Sequence, residues 1–414
     1  MKKIRIGILG MGRGAYLGRS VLLADAEVVA VCDFHKKRLE EGAKSFPGAV
    51  KYESFDEFIE HPMDGVILAN YFHEHTPFAI RCLEKGIHVL CECTSNGTMA
   101  EGVALIRAAE KSDAFFMLAE NYPHMKFNRE MKRICDGGTL GKILFAEGEY
   151  NHPADPNDIN FKKDYNYFPK HWRNFLPRTY YITHSLAPIM SATGAVPKKV
   201  TAFACPAPFD ADVPSASYSA GDKAAIIMTQ NDDGSVFRVT GCAGFGAHGN
   251  SYRICGTKGQ IENLRGMGER VMLRYNAWEK PEDADEVKCY EPDWNDKDRE
   301  LIEKTGHGGG DFLIVREFID CIKEGRKPDF DVYFATAMAS VAILAHRSVL
   351  EGGKVFDVPD FRREEDRVLW ENETLAPYWY TDGRAPTLPA CSDPDFAPTE
   401  KQMKLFRTLV MEEK

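Results

Sequence analysis

Runs of lysine and arginine dense enough to make a basic stripe are missing from this chain. Acidic residues outnumber basic ones, 62 to 52, for a formal net charge of -10. A surface of that sign repels phosphate backbones, so nucleic acid is not an expected partner. Any apolar run near the ~18 residues needed to cross a bilayer is missing too, and no membrane association is expected. The opening Met1-Lys2-Lys3 and the apolar residues after it superficially resemble a secretion signal. The run stops at glycines after about seven residues, so it reads as a first β-strand. The eleven cysteines follow no zinc spacing, Cys91 and Cys93 standing only two apart. Zinc is therefore not expected, and the thiols read as reduced, in the cytoplasm. Internal repeats and low-complexity tracts are also missing. What is present is ordinary for a globular chain: 44% hydrophobic and 28% charged residues over a length that suggests two or three domains.

The order of elements is more specific. Ile4–Leu9 reads as a buried strand running into Gly10-Met11-Gly12-Arg13-Gly14-Ala15, with a helix to about Leu23. Strands are expected at 27–33, 65–69, 88–92 and 114–119, and helices at 36–44, 76–85 and 99–111. That alternation predicts a parallel, doubly wound sheet, an α/β Rossmann fold over residues 1–125. From about residue 140 the pattern changes to successive strands at 142–150, 199–205, 224–231, 235–241, 251–255 and 270–275. Few helices lie between them, so an α+β domain over 126–358 is expected, with a mostly antiparallel open sheet. Its open face is a candidate substrate floor or homo-oligomer interface. Helices return at 311–324 and 333–351. The segment 359–414 is expected to be a surface arm with a short final helix near Thr399–Met411.

The glycine turn has a chemical reading. Gly10 permits the tight turn, and the amides around Met11 and Gly12 can approach a pyrophosphate. Ala15 keeps helix and strand close, and the helix N-terminus adds partial positive charge. Asp33 closes the next strand about twenty residues on, where it can accept hydrogen bonds from both ribose hydroxyls. It would repel a 2′-phosphate, so NAD is expected before NADP. Arg13 and Lys36 weaken that preference, because they can neutralise a phosphate.

Together with several later segments, these residues resemble the Gfo/Idh/MocA family of nicotinamide-dependent sugar oxidoreductases over roughly residues 3–358. The resemblance is carried by Ala69–His75, by Gly86-Ile87-His88-Val89-Leu90-Cys91-Glu92, by Lys142–Tyr150, by Gly256–Gly259, by Gly306–Asp311 and by Gly352–Lys354. It implies cofactor-side roles for Asn70, His75, Glu92 and Asn121. The chain departs from the family at Cys93-Thr94, where Lys-Pro is usual, so the family's proton-transferring ammonium is absent. Cys93 reads as a packed thiol. A second departure is Tyr180-Tyr181-Ile182-Thr183-His184-Ser185-Leu186-Ala187-Pro188, where typical members carry D-x-G-x-H. Its spelling is similar to NAD-dependent α-N-acetylgalactosaminidases, a glycoside hydrolase branch that also lacks the lysine. The likeness puts the catalytic pair on Tyr181 and His184.

The residues suit that chemistry. Taking hydride from a carbinol carbon needs a base for the hydroxyl proton, and histidine titrates near neutrality. Tyr181 and His184, three apart on a helical turn, would face the same way. Substrate-side candidates are Glu120 and Tyr122 at a strand's carboxyl edge, His152, Trp172 and Arg173 for sugar stacking and hydrogen bonding, and His307 among glycines. His73, Glu74 and His75 are read beside the cofactor rather than as a metal site. The function expected first is an oxidoreductase acting on a sugar or polyol hydroxyl by hydride transfer; the alternatives are a glycoside hydrolase that recycles NAD through transient C3 oxidation, and a non-catalytic NAD-bound sensor.

Overall fold

A computed structural model describes residues 3–153, 170–206, 222–396, 400 and 404. The chain builds two compact units: Met1–Arg133 with Glu291–Ala339 and Pro359–Glu373, and Ile134–Tyr290 with Ser340–Val358 and Thr374–Lys414. The expected consecutive segments 1–125, 126–358 and 359–414 differ from these, because two later segments return to the first unit.

The first unit carries a six-stranded sheet of β1 (Ile4–Leu9), β2 (Ala26–Cys32), β3 (Val50–Tyr52), β4 (Gly65–Leu68), β5 (His88–Cys91) and β6 (Phe116–Leu118), in the order 3-2-1-4-5-6. Every pairing is parallel. Helices α1 (Arg13–Leu23), α2 (Lys36–Ala43), α3 (Phe55–Phe58), α4 (His75–Glu84) and α5 (Met99–Lys111) connect the strands. The apolar runs explain the arrangement, since β4 is buried along its whole length, as a strand covered on both faces must be. Thr98 and Glu101 form a capping box that starts α5. The strand order reverses between β1 and β4, and ligands of open α/β sheets bind at such a switch point. Gly10, Asp33, Asn70, Glu92 and Glu120 all stand just past the carboxyl ends of their strands. Helix α6 (Lys126–Asp136) follows, and Arg299–Lys304 makes a short α8. The returning α9 (Gly310–Glu324) packs against α1, burying Phe312, Val315, Phe318 and Ile319.

The second unit holds a nine-stranded sheet: β7 (Ile143–Asn151), β8 (Pro197–Pro206), β9 (Asp222–Asn231), β10 (Val236–Thr240), β11 (Gly249–Gly256), β12 (Gly259–Asn263), β13 (Val271–Tyr275), β14 (Val287–Tyr290) and β15 (Phe356–Asp357). The order is 14-13-12-11-7-10-9-8-15, antiparallel except where β7 meets β10. The expected antiparallel open sheet is therefore present. Helix α7 (Thr183–Thr193) packs on β7, β10 and β11. The opposite face leaves Phe203 and Met228 exposed. Helix α10 (Val332–Leu350) is long and apolar enough to cross a membrane, but its most apolar stretch is 78% buried, which makes it a core helix.

The described part of the tail, 359–396, is anchored at several buried side chains. Residues 364–370 form α11 (Glu364–Trp370), and Phe361, Tyr378 and Cys391 are buried. Aromatic side chains this large stabilise far more by burial than the flanking prolines and acids suggest. The expected helix at 399–411 lies outside the described residues, apart from Glu400 and Lys404.

One tail contact sets a pH dependence. His346 on α10 is fully buried and donates from Nε2 to the Pro389 carbonyl, 2.7 Å away. Burial holds its pKa at about 4. The unfolded chain, titrating near 6.5, binds the proton first, so this contribution is complete above pH 6.5 and fades as pH falls toward 4. Between pH 7 and pH 5 the loss is about 2 kcal/mol. Urea melts at the two pH values should show a smaller acid loss for His346→Gln, which keeps a donor. Parallel losses in the two proteins would remove this account.

Candidate active site

In the first unit the geometry begins at the glycine turn. Gly10 has φ +91°, and a Cβ there would lie 2.3 Å from the Ala69 carbonyl oxygen. A Cβ on Gly12 would meet only the Arg38 Cδ, at 3.9 Å. Gly12 precedes α1, whose N-terminus no side chain caps. Ala15 is buried. Asp33 staples the turn, accepting the Met11 amide at 2.7 Å and the His35 amide at 2.8 Å. A backbone cradle that a Cβ would fill, at an uncapped helix N-terminus, suits a pyrophosphate. The residues present fit a dinucleotide.

Arg13 does something the sequence did not suggest. Its Nε donates to Glu92 at 2.8 Å, and its two terminal nitrogens donate to the two oxygens of Asp311. Its guanidinium is thus engaged by two carboxylates. Lys36 is exposed beside Glu53. Asp311 also accepts from Asn121 Nδ2 and from His307 Nδ1, each at 2.8 Å. Four sequence candidates, Arg13, Glu92, Asn121 and His307, thus share one network, and the residue joining them is Asp311. The Tyr122 ring lies 6.5 Å from that of His307.

Glu120 is fully buried and accepts from the Tyr122 amide at 3.1 Å and the Cys93 thiol at 3.2 Å. Cys93 is buried as a small packed thiol would be, and its peptide bond to Thr94 is cis. His75 is buried, donates from Nδ1 to the Thr94 carbonyl at 2.7 Å, and is held below its ordinary pKa mainly by burial. Asn70 donates to the Glu74 carbonyl at 3.1 Å. His73 Nε2 stands 3.6 Å from Glu74.

The second unit holds the remaining candidates. The Tyr181 hydroxyl and His184 Nε2 are 3.0 Å apart at the start of α7. Gly148 on β7 makes this possible, because a Cβ there would sit 1.9 Å from the Ser185 carbonyl oxygen. The helix start is thus pressed against the strand. Tyr252, buried on β11, donates its hydroxyl to the His184 carbonyl. Tyr150 packs its ring edge-on to that of His184, with centroids 4.9 Å apart. Backbone and ring of His184 are therefore both held. Tyr150 and Tyr252 had no signal in the sequence beyond aromatic residues at inward strand positions.

His152 lies 5.7 Å from the Tyr150 ring and 4.8 Å from that of His248, another residue the sequence did not single out. Its pKa is lowered, first by partial burial and then by His248. Trp172 opens a short 3-10 turn, Trp172–Phe175. The Arg173 guanidinium sits 4.5 Å from the Trp172 ring centroid, and His171 stacks at 5.7 Å. The ring expected to stack on a sugar thus carries two neighbours of its own.

Comparison with known proteins places this chemistry. Residues 4–120 match the oxidoreductase family with an NAD-binding Rossmann fold. The chain is thus an NAD-dependent enzyme on the Gfo/Idh/MocA framework. Residues 127–367, more than half of the chain, match the glycosyl hydrolase 109 C-terminal domain. The chain belongs to glycosyl hydrolase family 109. A family 109 protein of Saccharopolyspora erythraea is 25% identical over 394 residues, covering 87% of this chain and 83% of its own. One of Shewanella pealeana is 24% identical, covering 88% and 86%. Among solved structures, levoglucosan dehydrogenase with NADH and L-sorbose matches at TM-score 0.72 and 18% identity, over 87% of this chain and 100% of its own. An Agrobacterium radiobacter oxidoreductase complexed with NAD+, L-tartaric acid and magnesium gives 0.69 and 15%, over 86% and 99%. These structural likenesses show the fold. The resemblance stated from the sequence, including its glycosidase branch, is borne out.

Proposed function

We propose that this enzyme cleaves glycosides in a redox-neutral cycle, of which the sugar-hydroxyl oxidation expected of its class is one half. The observation that carries the reading is the Tyr181–His184 pair, 3.0 Å apart, within the stretch matching the family 109 domain. NAD, when bound, takes a hydride from a sugar carbon and returns it at the end of the cycle. The glycine turn and α1 hold its pyrophosphate, and Asp33 accepts from its adenosine ribose. The pair on α7 supplies proton transfers: one group accepts the proton of the oxidised hydroxyl, and the pair takes the now acidic proton from the neighbouring carbon. Loss of that proton expels the aglycone from C1, and water adds in its place. A phenol and an imidazole in hydrogen-bond contact can take up and return a proton without a lysine, which fits Cys93 at the family's lysine position. His152, Arg173, Tyr122 and His307 are proposed to contact the carbohydrate, while Glu120, fully buried on the Tyr122 amide and the Cys93 thiol, is proposed to hold Tyr122 in place.

The test is an aryl glycoside panel with purified enzyme in deuterated water. Expected are aglycone release with no net growth at 340 nm, and one deuterium at C2 of the product sugar. Stoichiometric NADH without aglycone release would instead establish a net oxidoreductase. Tight NAD binding with neither activity would establish a sensor.

The setting is also a proposal. None of the eleven cysteines is in a disulfide, which supports a reducing cytoplasm. The open sheet face carries Arg238 and Arg253 on Glu147 and Arg265 on Glu149 around a concavity of about 380 Å3. A face mixing both charges with exposed Phe203 and Met228 can meet its own copy about a two-fold axis, which supports a homo-oligomer.

A further inference from the structure

We infer that Asp311 is a positioning residue, which fixes the ring of His307 through Nδ1 so that Nε2 offers its lone pair to a sugar hydroxyl. Arg13 holds Asp311 in turn. The contact toward sugar rests on the proposed function; the ring tautomer does not.

The argument starts from the backbone. His307 has φ +53°, in the left-handed region that a side chain bearing Cβ seldom adopts. Gly308 and Gly309 follow at +58° and +87°. This run is packed too closely to relax. A Cβ on Gly309 would lie 2.2 Å from Ile302 Cγ2 on α8, and one on Gly310 would lie 2.5 Å from the Asn121 carbonyl oxygen. A non-glycine residue kept in a costly conformation by its surroundings is a feature that clusters at ligand-contacting positions. The imidazole itself is nearly half exposed, so one ring nitrogen remains open to a ligand.

Which nitrogen is open follows from Asp311. Its side chain is only 8% exposed, in the first turn of α9. Burial alone would raise its carboxyl, but hydrogen bonds from Arg13 and His307 outweigh burial and hold it well below the usual carboxylate range. An ionised carboxylate only accepts hydrogen bonds. The 2.8 Å contact therefore puts the proton on His307 Nδ1. In the neutral ring Nε2 is then the acceptor, the orientation by which a buried carboxylate prepares a histidine for proton transfer. Arg13 is the first residue of the helix that follows the glycine turn, and it holds both Asp311 and Glu92. The groups beside the cofactor and the ring of His307 are thus tied to one guanidinium.

The experiment uses full-length protein with 15N-labelled histidine, the His307 ring signals being identified by their loss in His307→Gln. At a pH where the ring is neutral, wild type should show Nδ1 protonated and Nε2 with the shift of an unprotonated nitrogen. Asp311→Ala should move the ring toward the Nε2-protonated form and lower kcat/KM by about 10–100-fold. The double variant with His307→Ala should be no slower than His307→Ala alone. If Asp311→Ala does not fold, Asp311→Asn keeps the volume and gives up one of the two Arg13 bonds together with either the His307 or the Asn121 bond, so the same signals are read there. Ring shifts unchanged by either substitution, or losses that simply add, overturn the inference. Shifts that move while His307→Ala keeps full turnover overturn instead the role of His307 toward the sugar.

Discussion

His184→Ala should lower kcat for aryl glycosides by about 100- to 10,000-fold, the usual range for removing a proton-transferring side chain. It should leave the NAD dissociation constant within about twofold, because the glycine turn, Asp33 and the Arg13 network all belong to the other compact unit. The expectation is sharp because the backbone at this position does not depend on the ring. The His184 carbonyl is anchored by the Tyr252 hydroxyl, and the next residue is seated against Gly148. Removing the imidazole therefore takes away a proton carrier while leaving the start of α7 in place. Tyr181→Phe, which removes one oxygen from the same pair, should lose less if His184 does most of the transfer, and as much if the two act as a unit. Steady-state rates with an aryl glycoside and a fluorescence titration with NAD+ measure both quantities. Turnover equal to wild type would remove His184 from the mechanism.

The nucleotide half was legible because its information is local. A buried strand, a glycine turn, a helix and an acid at the end of the next strand lie within the first 33 residues, and each obeys its own short-range rule. The carboxyl-edge residues Glu92 and Glu120 follow from the same strand and helix alternation. Helix α6 has a trace of the same local kind: Phe127, Met131 and Ile134 are buried at helical spacing. The strands β12 and β14 were harder, because Gln260, Glu262 and Lys288 interrupt them with polar residues on an open face. The parallel pairing of β7 with β10 joins residues some ninety positions apart, which no periodicity encodes. The same holds for the site. Arg13 and Asp311 are 298 residues apart, and Tyr252 and His184 are 68. Residue types could nominate Arg13, His307 and His184, but only the fold could name their partners. Asp311 stood in a quoted motif without a role, because its role is made of contacts from elsewhere.

The second large effect separates the two tasks of the glycine turn. Gly10→Ala places a methyl group in a residue whose φ of +91° already disfavours it, 2.3 Å from a backbone oxygen that has no freedom to withdraw. The Ala69 amide is itself bonded to the Leu9 carbonyl at 2.8 Å, and the Gly10 amide to the Cys32 carbonyl at 2.8 Å. The turn must therefore shift as a whole, at a cost of about 1–3 kcal/mol for the overpacking plus a further contribution from the backbone. Both stability and NAD affinity should fall, the latter by about 100-fold or more as the amides leave the pyrophosphate. Gly12→Ala meets no such obstacle, since its Cβ would enter open space with only Arg38 at 3.9 Å. It should melt within about a degree of wild type, as a surface substitution does. It should still weaken NAD binding, because the phosphates need the space the methyl group takes. Calorimetric titration with NAD+ and thermal melts of the two variants read the four quantities. A Gly12→Ala protein that binds NAD+ as tightly as wild type would mean that the pyrophosphate does not approach the turn, and the hydride chemistry would have lost its carrier.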